Sequence, residues 1–141
     1  MVIGGHGDTT MIPITSLAKC KDELLSNIVS KDELSKIKSQ TMVGGATLTK
    51  LLGTSAWYAP GASVSYLVNA IVSDTKEVLP CSVYLTGEYN IEDICIGVPS
   101  IIGRNGFEKV VEFDLDSKEL EMFNNSVKAV KQTNLALDGL I

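Results

Sequence analysis

The chain contains a single histidine, His6, set between glycines in the segment GGHGD at residues 4–8. An imidazole titrates near neutral pH, so one side chain can both accept a proton and return it. The residues alone leave three interpretations open: a structural histidine, a metal ligand, or a general acid and base. Metal binding is the weakest, because one histidine and three scattered cysteines supply no ligand cluster. Glycine neighbours carry no bulk that would keep a small substrate from the ring, which favours the acid–base role.

The composition of the chain limits the kinds of partner that it can bind. The chain has 141 residues and a formal net charge of −5, which argues against nucleic acid and against an anionic membrane surface. No apolar run approaches the roughly 18 residues that a membrane-spanning helix needs. The three cysteines are odd in number and include no C-x-x-C motif, so a disulfide framework is not expected. We therefore expect a cytoplasmic protein with no nucleic-acid or membrane partner.

The elements around His6 are predicted from hydrophobic spacing and capping residues. The apolar residues before Gly4 are typical of the end of a buried strand. Two short helices are expected over Lys19–Lys38, broken near Ser30, which can form a capping box with Glu33. A further helix is predicted over Thr41–Leu52. Its paired glycines, at positions 44 and 45, indicate close approach by another element or a hinge.

The second half of the chain is predicted to contain one helix and three strands. A helix from about Pro60 to Ser73 has a wide apolar face, which is typical of a core helix. A strand with alternating residues is expected to end at the Gly87 turn. Two further strands are joined by Asn105-Gly106, for which we predict a type I′ turn with two positive φ angles.

The last helix is predicted to begin at a capping box formed by Asp116 and Glu119 and to run to about Asp138. The order of elements is then strand, helices, three strands and helix. This order defines an α+β domain, in which helices pack on an antiparallel sheet.

Three segments carry a resemblance to a known family. GGHGDTTMIP, at residues 4–13, resembles the active-site histidine motif of the lactate/malate dehydrogenase family. Residues 41–74, which include GTSAWYAP, resemble its long helix and the substrate-side segment that follows. Residues 80–130 resemble its C-terminal strands and last helix. The resemblance covers essentially the whole chain in the family's order, and the patterns GEYNIEDICIGVP and GTSAWYAP are more similar to the malate-specific branch than to the lactate-specific one.

The resemblance implies an NAD-dependent oxidoreductase acting on a small 2-hydroxy or 2-oxo dicarboxylate. His6 would accept the proton of the substrate's C2 hydroxyl during oxidation and donate it back during reduction. Ser55 and Ala56 match positions that line the substrate pocket, and the small side chain of Ala56 leaves room for a dicarboxylate. Pro60 falls where the family places an apolar side chain near the nicotinamide. Asp8 is assigned to shaping the turn.

Other functional residues of the family have no counterpart in this sequence. Substrate carboxylates are held in the family by arginines, which bind them bidentately. The only arginine here, Arg104, falls in the predicted turn and is expected to be solvated. No G-x-G-x-x-G fingerprint for a dinucleotide is present, since Gly5 and Gly7 are followed by Thr10 in the third position.

The resemblance implies that the NAD-binding domain, the arginines and the aspartate that orients the histidine all lie in an N-terminal half. We therefore expect residues 1–141 to be the C-terminal substrate-binding and catalytic domain, nearly inactive alone. Faces that normally pack on another domain or subunit would be uncovered, and such apolar patches promote association. We therefore expect homo-oligomers.

Two further functions and one unrelated fold stay open. The protein could be a lactate dehydrogenase or another 2-hydroxy-acid dehydrogenase. From a different class, it could be a catalytically silent assembly module that retains half of a dehydrogenase, although such a module would not require the imidazole. The third possibility is an unrelated α+β domain with a structural histidine, for which the whole-length resemblance would have to be chance.

Overall fold

The sheet that carries the histidine loop has five strands, all paired antiparallel. A computed structural model describes residues 1–137. The sheet order is β2-β1-β6-β5, and β7 pairs with β6 beyond the end of β1. The strands of this sheet are β1 (Val2–Gly4), β2 (Met11–Pro13), β5 (Glu77–Thr86), β6 (Glu92–Gly103) and β7 (Gly106–Val110). A separate hairpin is formed by β3 (Lys19–Cys20) and β4 (Glu23–Leu24). The antiparallel sheet with packed helices confirms the predicted α+β class.

Four α-helices occur within residues 1–137, and one of them covers the hydrophobic core. They are α1 (Leu25–Ile28), α2 (Lys31–Leu52), α3 (Tyr58–Ser73) and α4 (Ser117–Leu135). Phe123 of α4 is fully buried among strand residues such as Leu85 and Ile96. The Phe123 ring also meets Tyr89 edge-to-face, with ring centroids 5.1 Å apart. The core therefore lies between α4 and one face of the sheet.

Helices α2 and α3 lie at the periphery. No residue of α2 is buried, and Ala70 is the only buried residue of α3. Val64 and Val72 of α3 are 59% and 71% exposed. The prediction of a core helix near Pro60 is therefore wrong within this chain, because helical spacing of apolar residues identifies a face but not what covers it.

Two local predictions also need correction. Residues 19–24 form a hairpin, and only the single turn Leu25–Ile28 is helical before Ser30, so the first of the two short helices is wrong. The turn between β6 and β7 is not type I′, since neither Arg104 nor Asn105 has a positive φ. Gly106, with φ of 86°, takes the left-handed position, and a bulge near Ile101 adjusts the register.

Other predicted boundaries agree with the structure. Ser30 and Asp116 each cap a helix through the predicted capping box, with Glu33 and Glu119 as partners. The last helix ends at Leu135, and the end predicted at Asp138 lies outside the described residues.

None of the helices within residues 1–137 combines the length and apolar character that a bilayer crossing requires.

Candidate active site

His6 lies in a tight loop between β1 and β2, the adjacent strands of one antiparallel pair. The loop is closed by the carbonyl of Gly7, which accepts hydrogen bonds from the backbone N–H groups of Thr10 and Met11, each 2.9 Å away. The Thr10 hydroxyl donates to the same carbonyl at 3.2 Å. The His6 side chain is exposed at the top of this loop. The backbone around the imidazole is therefore held by hydrogen bonds, while the residue itself is exposed.

The glycines of the loop are required by close packing. A Cβ on Gly4, whose φ is 94°, would come 2.4 Å from the Thr10 carbonyl oxygen. A Cβ on Gly5 would come 2.9 Å from Val130 of α4. The sequence interpretation gave these glycines the task of clearing space for a substrate. At these Cβ positions they instead let protein atoms approach, which fixes the loop against α4.

The predicted site residues come together around one open cavity of about 370 Å³. His6 and Asp8 contribute from the histidine loop, and Ser55, Ala56 and Pro60 contribute from the connection between α2 and α3 and the start of α3. Ala56 is half-buried, and the other four are exposed. Helix α2 is 22 residues long, and residues of its C-terminal half complete the wall of this cavity.

The connection that carries Ser55 and Ala56 is set by how α2 ends. Gly53 follows the helix in the left-handed conformation, with φ of 70°, and its N–H bonds to the Thr49 carbonyl at 3.0 Å. A left-handed residue at this position stops a helix and turns the chain sharply, and glycine adopts it without strain. The turn directs the next residues over the histidine loop.

His6 also contributes to a second hollow, of about 400 Å³. This hollow lies over the sheet surface, beside Pro80, Cys95 and Gly97. A larger hollow of about 510 Å³ lies between α3 and β5, but mostly apolar side chains line it and His6 is not among them. The cavity of about 370 Å³ is the candidate active site, because of these hollows it alone joins His6 with Ser55, Ala56 and Pro60, the residues that the sequence predicts for the site.

Among residues 1–137, the imidazole of His6 takes part in none of the hydrogen bonds or ion pairs. No group of three or more metal-ligating side chains occurs in this described part of the chain either. Within these residues the ring of His6 therefore has neither a hydrogen-bond partner nor a metal site.

Arg104 lies far along the sheet, in the exposed turn between β6 and β7. Its backbone N–H donates to a carboxylate oxygen of Asp74 at 2.8 Å, and this bond lowers the pKa of Asp74 below its ordinary value. Lys76 also lies 3.7 Å from that carboxylate. These contacts attach the hairpin to the end of α3, and they place the arginine outside the wall of the candidate site.

Sequence reasoning missed two buried polar residues of α4 that hold the segments before and after β2. Ser126 bonds to the histidine loop, and Glu119 bonds to the segment after β2. Glu119 was recognised only as a capping residue. Nothing in the sequence marks either contact, since each joins residues more than 100 positions apart.

Comparison with known proteins agrees with this fold. Residues 1–135 match the model of the lactate/malate dehydrogenase alpha/beta C-terminal domain. A malate dehydrogenase of Bacteroides thetaiotaomicron is 59% identical over 137 residues, which is 97% of this chain and 44% of that protein. The solved malate dehydrogenase of Salinibacter ruber is 36% identical with a TM-score of 0.94, over 99% of this chain and 46% of that one. A Cryptosporidium parvum lactate dehydrogenase, solved with lactic acid and nicotinamide adenine dinucleotide, is 33% identical with a TM-score of 0.92, over 97% of this chain and 45% of that one.

An antiparallel sheet with packed helices, matched over residues 1–135, is thus the fold of a dehydrogenase C-terminal domain. The chain belongs to the lactate/malate dehydrogenase family. It spans less than half the length of the relatives compared above.

Proposed function

We propose that this chain forms the substrate-binding and catalytic half of an NAD-dependent malate dehydrogenase, which interconverts malate and oxaloacetate. The observation that carries the proposal is that His6, Ser55, Ala56 and Pro60, from distant parts of the sequence, line one open cavity of about 370 Å³. The chain's identity to malate dehydrogenases supports this substrate.

His6 acts as the proton acceptor in malate oxidation. Its exposed ring can lie against the C2 hydroxyl of a substrate in the cavity and take that proton as the C–H bond breaks. In the reverse direction the imidazolium donates its proton to the carbonyl oxygen of oxaloacetate. Because hydrogen bonds hold the backbone of the loop, the His6 ring stays in position relative to the substrate from one turnover to the next.

The wall of the cavity formed by the α2–α3 connection and the start of α3 fits a dicarboxylate and one face of a nicotinamide. Ala56 is small and half-buried, which leaves space beside the reacting carbon for a second carboxylate. Ala59 and Pro60 offer an apolar surface at the edge of the same cavity, and a flat, weakly polar ring fits there. Bound NAD supplies the hydride acceptor for malate oxidation.

The groups that hold the substrate carboxylates are proposed to come from outside residues 1–141. The only arginine of the chain is in the β6–β7 turn, away from the cavity. A carboxylate that orients His6 is also proposed to come from outside this chain, because the imidazole has no partner within residues 1–137. We assign these groups and the dinucleotide-binding fingerprint to an N-terminal half.

We further propose that the protein is a homo-oligomer of the cytoplasm serving the tricarboxylic acid cycle. The exposed apolar residues of α2 and α3 support association, and the three free cysteines suit a reducing compartment. No nucleic-acid or membrane partner is proposed, because the chain carries a net charge of −5.

A chimaeric enzyme tests the function directly. The N-terminal part of the Bacteroides thetaiotaomicron malate dehydrogenase would be joined to this chain in place of its own C-terminal 44%. We expect the chimaera to oxidise NADH with oxaloacetate and far more slowly with pyruvate, and we expect this chain alone to be nearly inactive. In the chimaera, His6→Asn should lower kcat by at least about a hundredfold, the scale of general acid–base catalysis.

Three outcomes would contradict the proposal in different ways. Faster turnover of pyruvate would indicate a lactate dehydrogenase. A folded, oligomeric chimaera without activity on either substrate would favour the catalytically silent assembly module. Full activity in the His6→Asn variant would remove the histidine from the mechanism. The unaltered Bacteroides enzyme is the positive control.

A further inference from the structure

One buried hydroxyl of α4 joins both ends of the histidine loop. The side chain of Ser126 accepts a hydrogen bond from the backbone N–H of Gly5 at 2.8 Å. The same hydroxyl donates to the backbone carbonyl of Thr10, also at 2.8 Å. Ser126 is only 2% exposed, so water does not compete for these bonds. Its donor and one of its acceptor sites are both used within the loop.

The loop is shaped to receive this hydroxyl. A Cβ on Gly4 would lie 2.9 Å from the Ser126 oxygen, and a Cβ on Gly5 would lie 2.9 Å from Val130. Val130 is one helical turn beyond Ser126, on the same face of α4. The glycines on the N-terminal side of His6 thus allow α4 to come close enough for the bridge to form.

We propose that Ser126 is a positioning residue for His6. This inference rests on the proposed function, because it assigns to Ser126 the task of holding the proton-transferring ring over the cavity. His6 follows Gly5 directly, and its ring has no hydrogen-bond partner within residues 1–137. Within residues 1–137 the position of the ring is therefore set by the backbone that carries it, and Ser126 fixes that backbone at both ends of the loop.

The bond itself can be tested without any enzymatic assay. In the unaltered chain, the Gly5 amide should exchange its hydrogen as slowly as the amides of β6, because it is bonded and buried. Ser126→Ala should speed Gly5 exchange relative to β6 by about tenfold, as expected for the loss of one buried hydrogen bond. Val127→Ala is the matched control: it removes a buried side chain from the next position of α4 but leaves the bridge intact.

The positioning effect has its own spectroscopic signature. Since His6 is the only histidine, its ring gives one assignable Cε1–H resonance. We expect this resonance to broaden or split in Ser126→Ala and to stay single in Val127→Ala. Ser126→Thr, which keeps a hydroxyl, should restore slow exchange at Gly5 and the single resonance.

The chimaeric dehydrogenase shows whether the position of His6, as set by Ser126, affects kcat. We expect Ser126→Ala to lower kcat by about tenfold to a hundredfold with KM for oxaloacetate changed by less than about threefold, since a displaced acid–base group weakens the transition state more than substrate binding. Ser126→Thr should recover most of the loss. Val127→Ala should keep kcat near that of the parent chimaera.

Failure of this inference is distinguishable from failure of the proposed function. Free exchange of Gly5 in the unaltered chain, or an unchanged His6 resonance in Ser126→Ala, would overturn the inference whatever the activity. An active chimaera that needs His6 but tolerates Ser126→Ala at full kcat would also overturn it. A chimaera whose activity ignores His6 would refute the proposed function, and the exchange and resonance data would still decide whether Ser126 positions the ring.

Discussion

At the residue scale, two buried polar side chains of α4, Ser126 and Glu119, hold the segments before and after β2. Glu119 is 1% exposed. Its carboxylate accepts bonds from the backbone N–H groups of Thr15 and Ser16 at 2.9 and 3.0 Å, and from the Ser16 hydroxyl. It also completes the capping box with Asp116. The first turn of a helix stabilises negative charge, and Glu119 takes part in none of the ion pairs among residues 1–137.

Replacing Glu119 should therefore cost far more than the loss of an ordinary helix cap. We expect Glu119→Ala to lower the free energy of unfolding by about 2–4 kcal/mol, because it leaves buried donors unpaired and removes charge-assisted bonds. Asp116→Ala, which breaks only the cap at the same helix end, should cost about 1 kcal/mol. Urea denaturation of both variants measures the difference, and equal losses would contradict the loop-anchoring role of Glu119.

At the element scale, α2 is shaped more by its ends than by its burial. The capping box of Ser30 and Glu33 begins it, Gly53 ends it, and no residue between them is buried. A Cβ placed on Gly44 or Gly45 would meet nothing within 4 Å in this structure. The close approach predicted for the glycine pair is therefore not made by any part of residues 1–137.

Two glycine-to-alanine substitutions in and after this helix should have opposite effects. Gly44→Ala should stabilise α2 by about 0.8–1 kcal/mol, because alanine has the higher helix propensity and the added methyl has open space. Gly53→Ala should destabilise by about 1–2 kcal/mol, because alanine is strained at a φ of 70°. Thermal unfolding followed by circular dichroism tests both. A destabilising Gly44→Ala would show that a neighbour packs on the helix after all.

At the scale of the whole molecule, the uneven distribution of apolar surface is the main feature. The side next to α4 is closed around buried strand residues. On the other side, large apolar residues of α2 and α3 are exposed, including Leu51 at 78% and Tyr58 at 84%. Isolated soluble domains rarely leave contiguous apolar surface of this kind uncovered. The helical side is the part of the molecule that should associate.

The chain should therefore form oligomers at micromolar concentration when studied by light scattering after gel filtration. Leu51→Glu should shift the population toward monomer, since a charge cannot be buried in an apolar contact without a partner. Ser39→Glu, at an exposed polar position of the same helix, serves as the control and should leave the oligomer intact. A monomeric unaltered chain would contradict this expectation.

Local features of the sequence were sufficient to predict several elements. Capping boxes work within three residues, so Ser30 and Asp116 were identified directly. Alternation predicted β5, and its end at Gly87 agrees with the structure. His6, Ser55, Ala56 and Pro60 were chosen by resemblance, and the structure places them around one cavity, while their roles remain proposals.

The tertiary structure decided what each face touches. A helical pattern such as that of α3 shows which residues share a face, but burial depends on neighbours that the pattern does not specify, so the predicted core helix is exposed. The Ser126 bridge joins positions 121 residues apart, and no local preference encodes it. The sequence by itself determined the α+β class, the capped helix starts and the candidate site residues, because these follow from short-range spacing or resemblance. Only the folded chain showed that the glycines beside His6 serve packing against α4, because that contact exists only when distant segments meet.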